Sequence, residues 1–102
     1  MNTIIEREKI VNLVLDTLST YFEENNEVVD LSDGEETKLF GGDGVLDSIG
    51  LVSYIVAVEE ALEDEFSISI ILADEKAMSR RTSPFARVNY LVDYIVDVIK
   101  TN

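Results

Sequence analysis

The sequence predicts an all-α fold: a small four-helix bundle with three longer helices, one short helix and a long loop between helices 1 and 2. Three observations favour it. Apolar residues recur at helical spacings in three separate stretches, hydrophobic residues make up 46% of a chain with one proline, and only one short segment alternates like a strand. At 102 residues, the chain is predicted to form a single domain spanning 1–102.

The first helix is predicted to begin near Thr3. Thr3 and Glu6 have the spacing of a capping box, in which each side chain satisfies an unpaired amide of the first turn. The helix is expected to end at 24–26, because asparagine tolerates the left-handed conformation common at helix ends. Its apolar stripe is expected to face the core and contains Ile4, Val11, Val14, Leu15, Leu18 and Phe22.

No helical period continues between Asn25 and Asp47, where glycine and acidic residues indicate turns. Loops of this length are uncommon in compact domains unless they are functional or disordered. We expect mobility near Glu35 and Glu36. We expect apolar side chains to attach the rest of the loop to the core, namely Val28, Val29, Leu31, Leu39, Phe40, Val45 and Leu46.

Either Asp47 or Ser48 can cap the second helix, which is predicted to run to about Asp64 or Glu65. One apolar row, spaced by threes and fours, is predicted to face the core and contains Leu51, Ile55, Val58 and Leu62. A second row contains Ile49, Val52 and Val56, and part of it is expected to be only partly buried. The alternative for this second row is ordinary core packing.

Beyond Phe66, the alternating segment 67–71 is interpreted as an extended connector, because no second strand is available to pair with it. A short third helix is predicted at 74–79, followed by a basic loop at 80–82. Ser83 and Pro84 have the form of a helix N-cap followed by the first helical residue, so the last helix is predicted to start there and to run to about Lys100. Its stripe contains Phe85, Val88, Leu91, Val92, Ile95, Val98 and Ile99.

The chain is strongly acidic, with 8 basic against 21 acidic residues and a net charge of -13. No lysine or arginine occurs from Leu39 to Glu75. Such a charge repels nucleic acid and anionic membranes, so basic proteins are the expected partners. No apolar run approaches the ~20 residues of a membrane span. A soluble, cytoplasmic protein is expected.

The residue types exclude most catalytic chemistry. Without histidine or cysteine, the chain cannot form a Ser-His-Asp triad, a thiolate nucleophile or the usual zinc sites. A Gly-x-Ser-x-Gly motif fails because Leu46 occupies the first glycine position, and the loop glycines match neither a calcium loop nor a phosphate loop. No catalytic residue and no metal site are predicted, so the chain is not expected to be an enzyme. Ser48 is either a helix cap alone or a residue that another enzyme modifies.

A larger pattern surrounds this serine. Leu46-Asp47-Ser48-Ile49-Gly50-Leu51-Val52 is followed by an acidic helix through Glu59-Glu60, then by Phe66-Ser67-Ile68-Ser69-Ile70 and Asp74-Glu75. In this order the motifs resemble the acyl carrier proteins. The resemblance implies that a phosphopantetheinyl transferase, using coenzyme A and Mg²⁺, attaches 4′-phosphopantetheine to Ser48 through a phosphodiester. The thiol of that arm would carry acyl groups as thioesters in fatty acid, polyketide or specialised lipid biosynthesis.

The resemblance also implies roles for neighbouring residues. Asp47 would present the site, and an apolar contact row ringed by carboxylates would meet acyl-loading ligases and synthases with basic docking surfaces. A monomer suits this role. The predicted contact residues are Ile49, Val52, Val56, Glu59, Glu60 and Glu63.

The chain departs from the usual carrier pattern at several positions. Its second helix is about one turn longer, Ala73 stands where proline is common, and Ser53 stands where an acidic residue is frequent. These departures favour a specialised carrier. Two alternatives stay open: an aminoacyl or peptidyl carrier for non-ribosomal synthesis or D-alanylation, and an acidic helical adaptor that is never modified.

Overall fold

The computed structural model describes residues 6–73 and 83–101. These residues form α1 (Arg7–Glu24), α2 (Ser48–Phe66), α3 (Val88–Thr101) and a 3-10 turn (Gly34–Glu36), and no strand occurs among them. The predicted all-α fold with a long loop between the first two helices is confirmed. The predicted short helix at 74–79 and the basic loop at 80–82 lie outside the described residues.

The first helix begins later than predicted. Glu6 is the N-cap in an extended conformation, with ψ 139° and no capping side chain, and its carbonyl accepts the amide of Lys9 at 3.0 Å. A helix already under way at Thr3 would need Glu6 to be helical, so the predicted start is wrong. The predicted end is confirmed, because α1 stops at Glu24 and Asn26 adopts a positive φ of 58°.

α1 packs against both α2 and α3. The described members of its predicted stripe are buried, except Leu15, which is partly buried. Ile10 and Leu13 are also buried, although the predicted stripe left them out. A helix covered on two sides needs a wider apolar face than one covered on a single side.

A tyrosine hydrogen bond joins α1 to α2 in the middle of the core. Tyr54 is fully buried, and its hydroxyl donates to the carbonyl of Val14 at 2.8 Å. A buried hydroxyl without a partner would be costly, so this bond fixes how the two helices are aligned. Tyr54 was not among the predicted core positions of α2, although it directly precedes one of them, Ile55. Leu51, which was predicted to face the core, is only partly buried.

The last helix begins at Val88, four residues after Pro84, the predicted first helical residue. The backbone before it pairs with the long loop: Leu39 N donates to Ala86 O at 2.8 Å, and Val88 N donates to Thr37 O at 3.0 Å. A carbonyl inside a helix would instead accept the amide four residues later. Tertiary pairing therefore delays the helix, and the Ser83 hydroxyl caps a local turn by accepting Phe85 N at 3.2 Å.

The loop between α1 and α2 is attached to the core at fewer points than predicted. Leu39 and Leu46 are buried, and Val29 and Leu31 are partly buried against the core. The other three predicted attachments are wrong, because Val28, Phe40 and Val45 are exposed.

The acidic pair that was expected to be mobile makes ion pairs. Glu35 and Glu36 lie in the 3-10 turn, where Arg7 Nη1 contacts Glu35 Oε1 at 2.6 Å and Arg87 Nη1 contacts Glu36 Oε2 at 3.3 Å. The Arg7 guanidinium also binds Asp93 of α3 at 2.9 Å. The middle of the loop is therefore tied to α1 and to the segment that precedes α3.

α2 ends at Phe66, and 67–71 form neither a helix nor a strand, so the segment is a connector as predicted. Ser67 ends the helix in the left-handed conformation with φ 56°, while Ser67 N bonds Glu63 O at 3.0 Å and Ile68 N bonds Leu62 O at 3.3 Å. These two hydrogen bonds satisfy the carbonyls of Leu62 and Glu63 in the last turns of the helix. Within the described ranges, no helix combines the length and the apolarity needed to cross a bilayer.

Replacing Tyr54 with phenylalanine is expected to lower the free energy of unfolding by about 1 kcal/mol, because the bond to Val14 is lost. Burial raises the pKa of the Tyr54 hydroxyl above its ordinary value of 10.0. The stabilisation from the neutral phenol is therefore complete below pH about 10 and declines above it, where the unfolded chain ionises first. Urea unfolding from pH 8 to 11 measures both effects.

The matched control is Tyr90→Phe, at a partly buried tyrosine of α3. The alkaline loss of stability should be smaller in Tyr54→Phe than in the wild type or the control. Identical pH profiles in all three proteins would contradict the role given to Tyr54.

Replacing Ser67 with glycine is expected to stabilise the protein by about 0.5–1 kcal/mol, because glycine adopts a positive φ without the steric cost paid by other residues. Thermal or urea unfolding measures the gain. The control is Ser69→Gly in the connector, at a residue without a positive φ, where glycine only adds entropy to the unfolded chain and should be neutral or destabilising.

Candidate modification site at the start of α2

The loop delivers the chain to α2 through a small platform of backbone hydrogen bonds. Val45 N donates to Lys38 O at 3.1 Å, and Leu46 N donates to Leu39 O at 2.8 Å. Gly44 makes this fold-back possible, since a Cβ there would lie 2.7 Å from the backbone of Leu39. Because Leu46 is buried, the platform is anchored in the core immediately before the candidate site.

Asp47 is the N-cap of α2. Its backbone is extended, and Oδ1 accepts the Gly50 amide at 2.7 Å, as expected for a capping carboxylate. Ser48 is the first helical residue, its side chain is exposed, and its hydroxyl has no hydrogen-bond partner among the described residues. The explanation of Ser48 as a cap alone is therefore wrong.

A tyrosine from α1 lies against this turn. Gly50 is buried, and a Cβ there would lie 3.0 Å from Asp47 Oδ1 and 3.1 Å from the hydroxyl oxygen of Tyr21. Glycine thus permits α1 to approach the first turn of α2 closely. Tyr21 was not among the predicted site residues, and the single local signal for its approach was a glycine placed early in a helix.

One face of α2 exposes an apolar row to solvent. Ile49, Val52 and Val56 are 79%, 65% and 47% exposed, whereas Tyr54, Val58 and Leu62 on the other face are buried. The alternative that this row packs in the core is wrong. With a rise of about 1.5 Å per residue, the row spans roughly 10 Å along the helix axis, starting next to Ser48.

The three predicted docking carboxylates do not share one environment. Glu60 and Glu63 are exposed. Glu59 is partly buried, and its Oε2 accepts the backbone amide of Leu72 at 2.7 Å. Two carboxylates are thus available to an approaching surface, while the third bonds the connector that follows the helix.

An open groove of about 500 Å³ lies beside the loop platform. Its walls carry both charge signs, and its two cations already contact its own carboxylates, Lys38 with Asp43 at 3.9 Å and Arg87 with Glu36 at 3.3 Å. Within the described residues, no group of three or more side chains is arranged to hold a metal ion. The groove is lined by Asp30, Asp33, Glu36, Thr37, Lys38, Asp43, Val45 and Arg87.

The chain matches no protein-family model, no curated protein and no solved structure. The site is therefore interpreted from its own geometry: an exposed serine at the first position of a helix, next to an exposed apolar row.

Because Asp47 and not Ser48 caps α2, substitutions at the two residues should affect stability differently. Asp47→Ala is expected to destabilise the protein by about 1 kcal/mol, because the Gly50 amide loses its acceptor, while Ser48→Ala should change stability by less than about 0.5 kcal/mol. Urea unfolding of both variants measures this. Asp47→Asn, which keeps a capping oxygen, should behave like the wild type, and a larger loss in Ser48→Ala than in Asp47→Ala would contradict the assignment.

Proposed function

We propose that this chain is an acyl carrier protein, in which Ser48 is the attachment residue for 4′-phosphopantetheine. The observation that carries the proposal is that different residues cap α2 and expose a hydroxyl at its start. Asp47 caps the helix, so the exposed Ser48 hydroxyl can enter the active site of another enzyme without loss of a structural hydrogen bond.

The residues present fit such a group. A helix start exposes amides that have no partner within the helix and carries a partial positive charge, both of which favour a phosphodiester over a neutral substituent. When bound, the group supplies a thiol for thioester formation, which a chain without cysteine otherwise lacks. The platform 38–46 and the cap hold the serine at a defined position on the surface.

In the modification step, Ser48 Oγ forms a bond to the pantetheine phosphorus of coenzyme A. The pyrophosphate bond breaks, and adenosine 3′,5′-bisphosphate leaves. We expect the serine proton to pass to a base of the transferase, because the chain has no histidine and Asp47 Oδ1 already accepts the Gly50 amide. The chain contributes presentation, and catalysis belongs to its partner.

The exposed face of α2 supplies the docking surface. Ile49, Val52 and Val56 offer apolar contact, and Glu60 and Glu63 lie exposed on the same helix. With a net charge of -13, the chain should attract basic surfaces of the transferase and of acyl-loading ligases and synthases, in fast and salt-sensitive contacts. The proposal includes a cytoplasmic, monomeric carrier that binds neither nucleic acid nor membranes.

The proposal predicts a single covalent addition at Ser48. Incubation of the purified protein with coenzyme A, Mg²⁺ and a broad-specificity phosphopantetheinyl transferase should increase the intact mass by one phosphopantetheine. Ser48→Ala should show no increase. Ser53→Ala is the matched control, since it removes another exposed serine of α2 and should be modified like the wild type.

An unmodified wild type would overturn the carrier proposal and leave the acidic helical adaptor as the alternative. If modification occurs, a panel of acyl and aminoacyl ligases then distinguishes acyl carriage from aminoacyl or peptidyl carriage. Loading by an aminoacyl ligase alone would replace the acyl assignment.

A further inference from the structure

The connector after α2 presents two neighbouring apolar residues differently. Leu72 is fully buried, whereas Ile71 is 69% exposed. Leu72 belongs to the core cluster, and the side chain of Ile71 beside it is turned to solvent. An exposed isoleucine beside a buried leucine needs an explanation in terms of what holds this backbone in place.

Glu59 supplies that attachment. Its Oε2 accepts Leu72 N at 2.7 Å across a separation of 13 residues, in a partly buried setting. Hydrogen bonds to charged acceptors contribute more to stability than neutral ones, and burial strengthens them. The carboxylate therefore fixes the connector against the side of α2.

The attachment by Glu59 indicates where Ile71 lies relative to the exposed row. Residues three apart on a helix are surface neighbours, so Val56 lies one turn before Glu59 on the same side of α2. Helical side chains also lean toward the helix N-terminus, which brings the Glu59 carboxylate back toward that turn. Since Ile71 directly precedes the amide that Glu59 binds, we infer that it lies near the Val56 end of the row.

We propose that Ile71 extends the apolar docking row of α2 and that Glu59 is a positioning residue for it, not a docking contact. This inference rests on the proposed function, which makes the occupant of the surface the phosphopantetheinyl transferase. Charge complementarity supports a basic occupant, because no lysine or arginine occurs from Leu39 to Glu75 and Glu60 and Glu63 are exposed. The occupant should present an apolar recess bordered by basic side chains.

Amide exchange tests the attachment without any partner. In Glu59→Ala, the exchange rate of the Leu72 amide should rise on the order of 10-fold, relative to the Leu18 amide in the core of α1. Glu59→Gln keeps an acceptor oxygen and should show a smaller rise. An unchanged Leu72 rate in Glu59→Ala would overturn the positioning role.

Transferase kinetics test the surface. Ile71→Ser should raise KM for the unmodified protein on the order of 5-fold with little change in kcat, because apolar contact is lost only in the complex. Val28→Ser, at a valine that is 97% exposed elsewhere, is the matched control and should leave KM unchanged. An unchanged KM in Ile71→Ser would overturn the extended surface.

A double-mutant cycle separates positioning from direct contact. Glu63→Gln measures how much the loss of one exposed charge raises KM. If Glu59 acts through Ile71, adding Glu59→Ala to Ile71→Ser should raise KM by no more than that amount. A full additive increase would make Glu59 a docking contact. A wild type that is never modified would overturn the proposed function and the occupant together, while the Leu72 exchange would still decide the role of Glu59.

Discussion

Leu39 connects the parts of the chain that meet before the start of α2. Its side chain is fully buried, its amide donates to Ala86 before α3, and its carbonyl accepts Leu46 N just before α2. The loop turns back onto the backbone of Leu39 at Gly44, where a side chain would clash with it. A long loop would otherwise cost entropy without defining where α2 begins, and the bonds at Leu39 convert it into a platform that ends at the cap.

The ion pairs of the described residues are distributed unevenly between α2 and the rest of the structure. The basic residues of the described ion pairs, Arg7, Lys38 and Arg87, contact carboxylates of the loop and of α3. Among the described ion pairs none involves a carboxylate of α2. These cations thus contact the loop and α3, while the helix that begins with Ser48 keeps its negative charge and its exposed apolar row. Such a combination suits brief contacts with basic protein surfaces better than a permanent interface.

Features that depend on residues close together in the sequence were predicted, whereas features that depend on hydrogen bonds between distant segments were not. Most predicted core positions of α1 and α2 are buried and the end of α1 was predicted, because apolar periodicity and asparagine conformations are local properties. The start of α3 was wrong because the amide of Val88 and the carbonyl of Ala86 bond a loop far away in the chain. Glu59 was grouped with the exposed carboxylates for a similar reason, since nothing nearby in sequence indicates its bond to Leu72.

The sequence by itself determined the helical class, the acidic surface, the exclusion of imidazole and thiol chemistry, and a serine at the first turn of a helix. Only the tertiary structure decided that Asp47 is the cap, that Ser48 is uncommitted among the described residues, and that the row from Ile49 to Val56 faces solvent. The physical reason is that composition and periodicity set which residues prefer burial or a helix, whereas hydrogen-bond partners and exposure depend on which distant segments pack together.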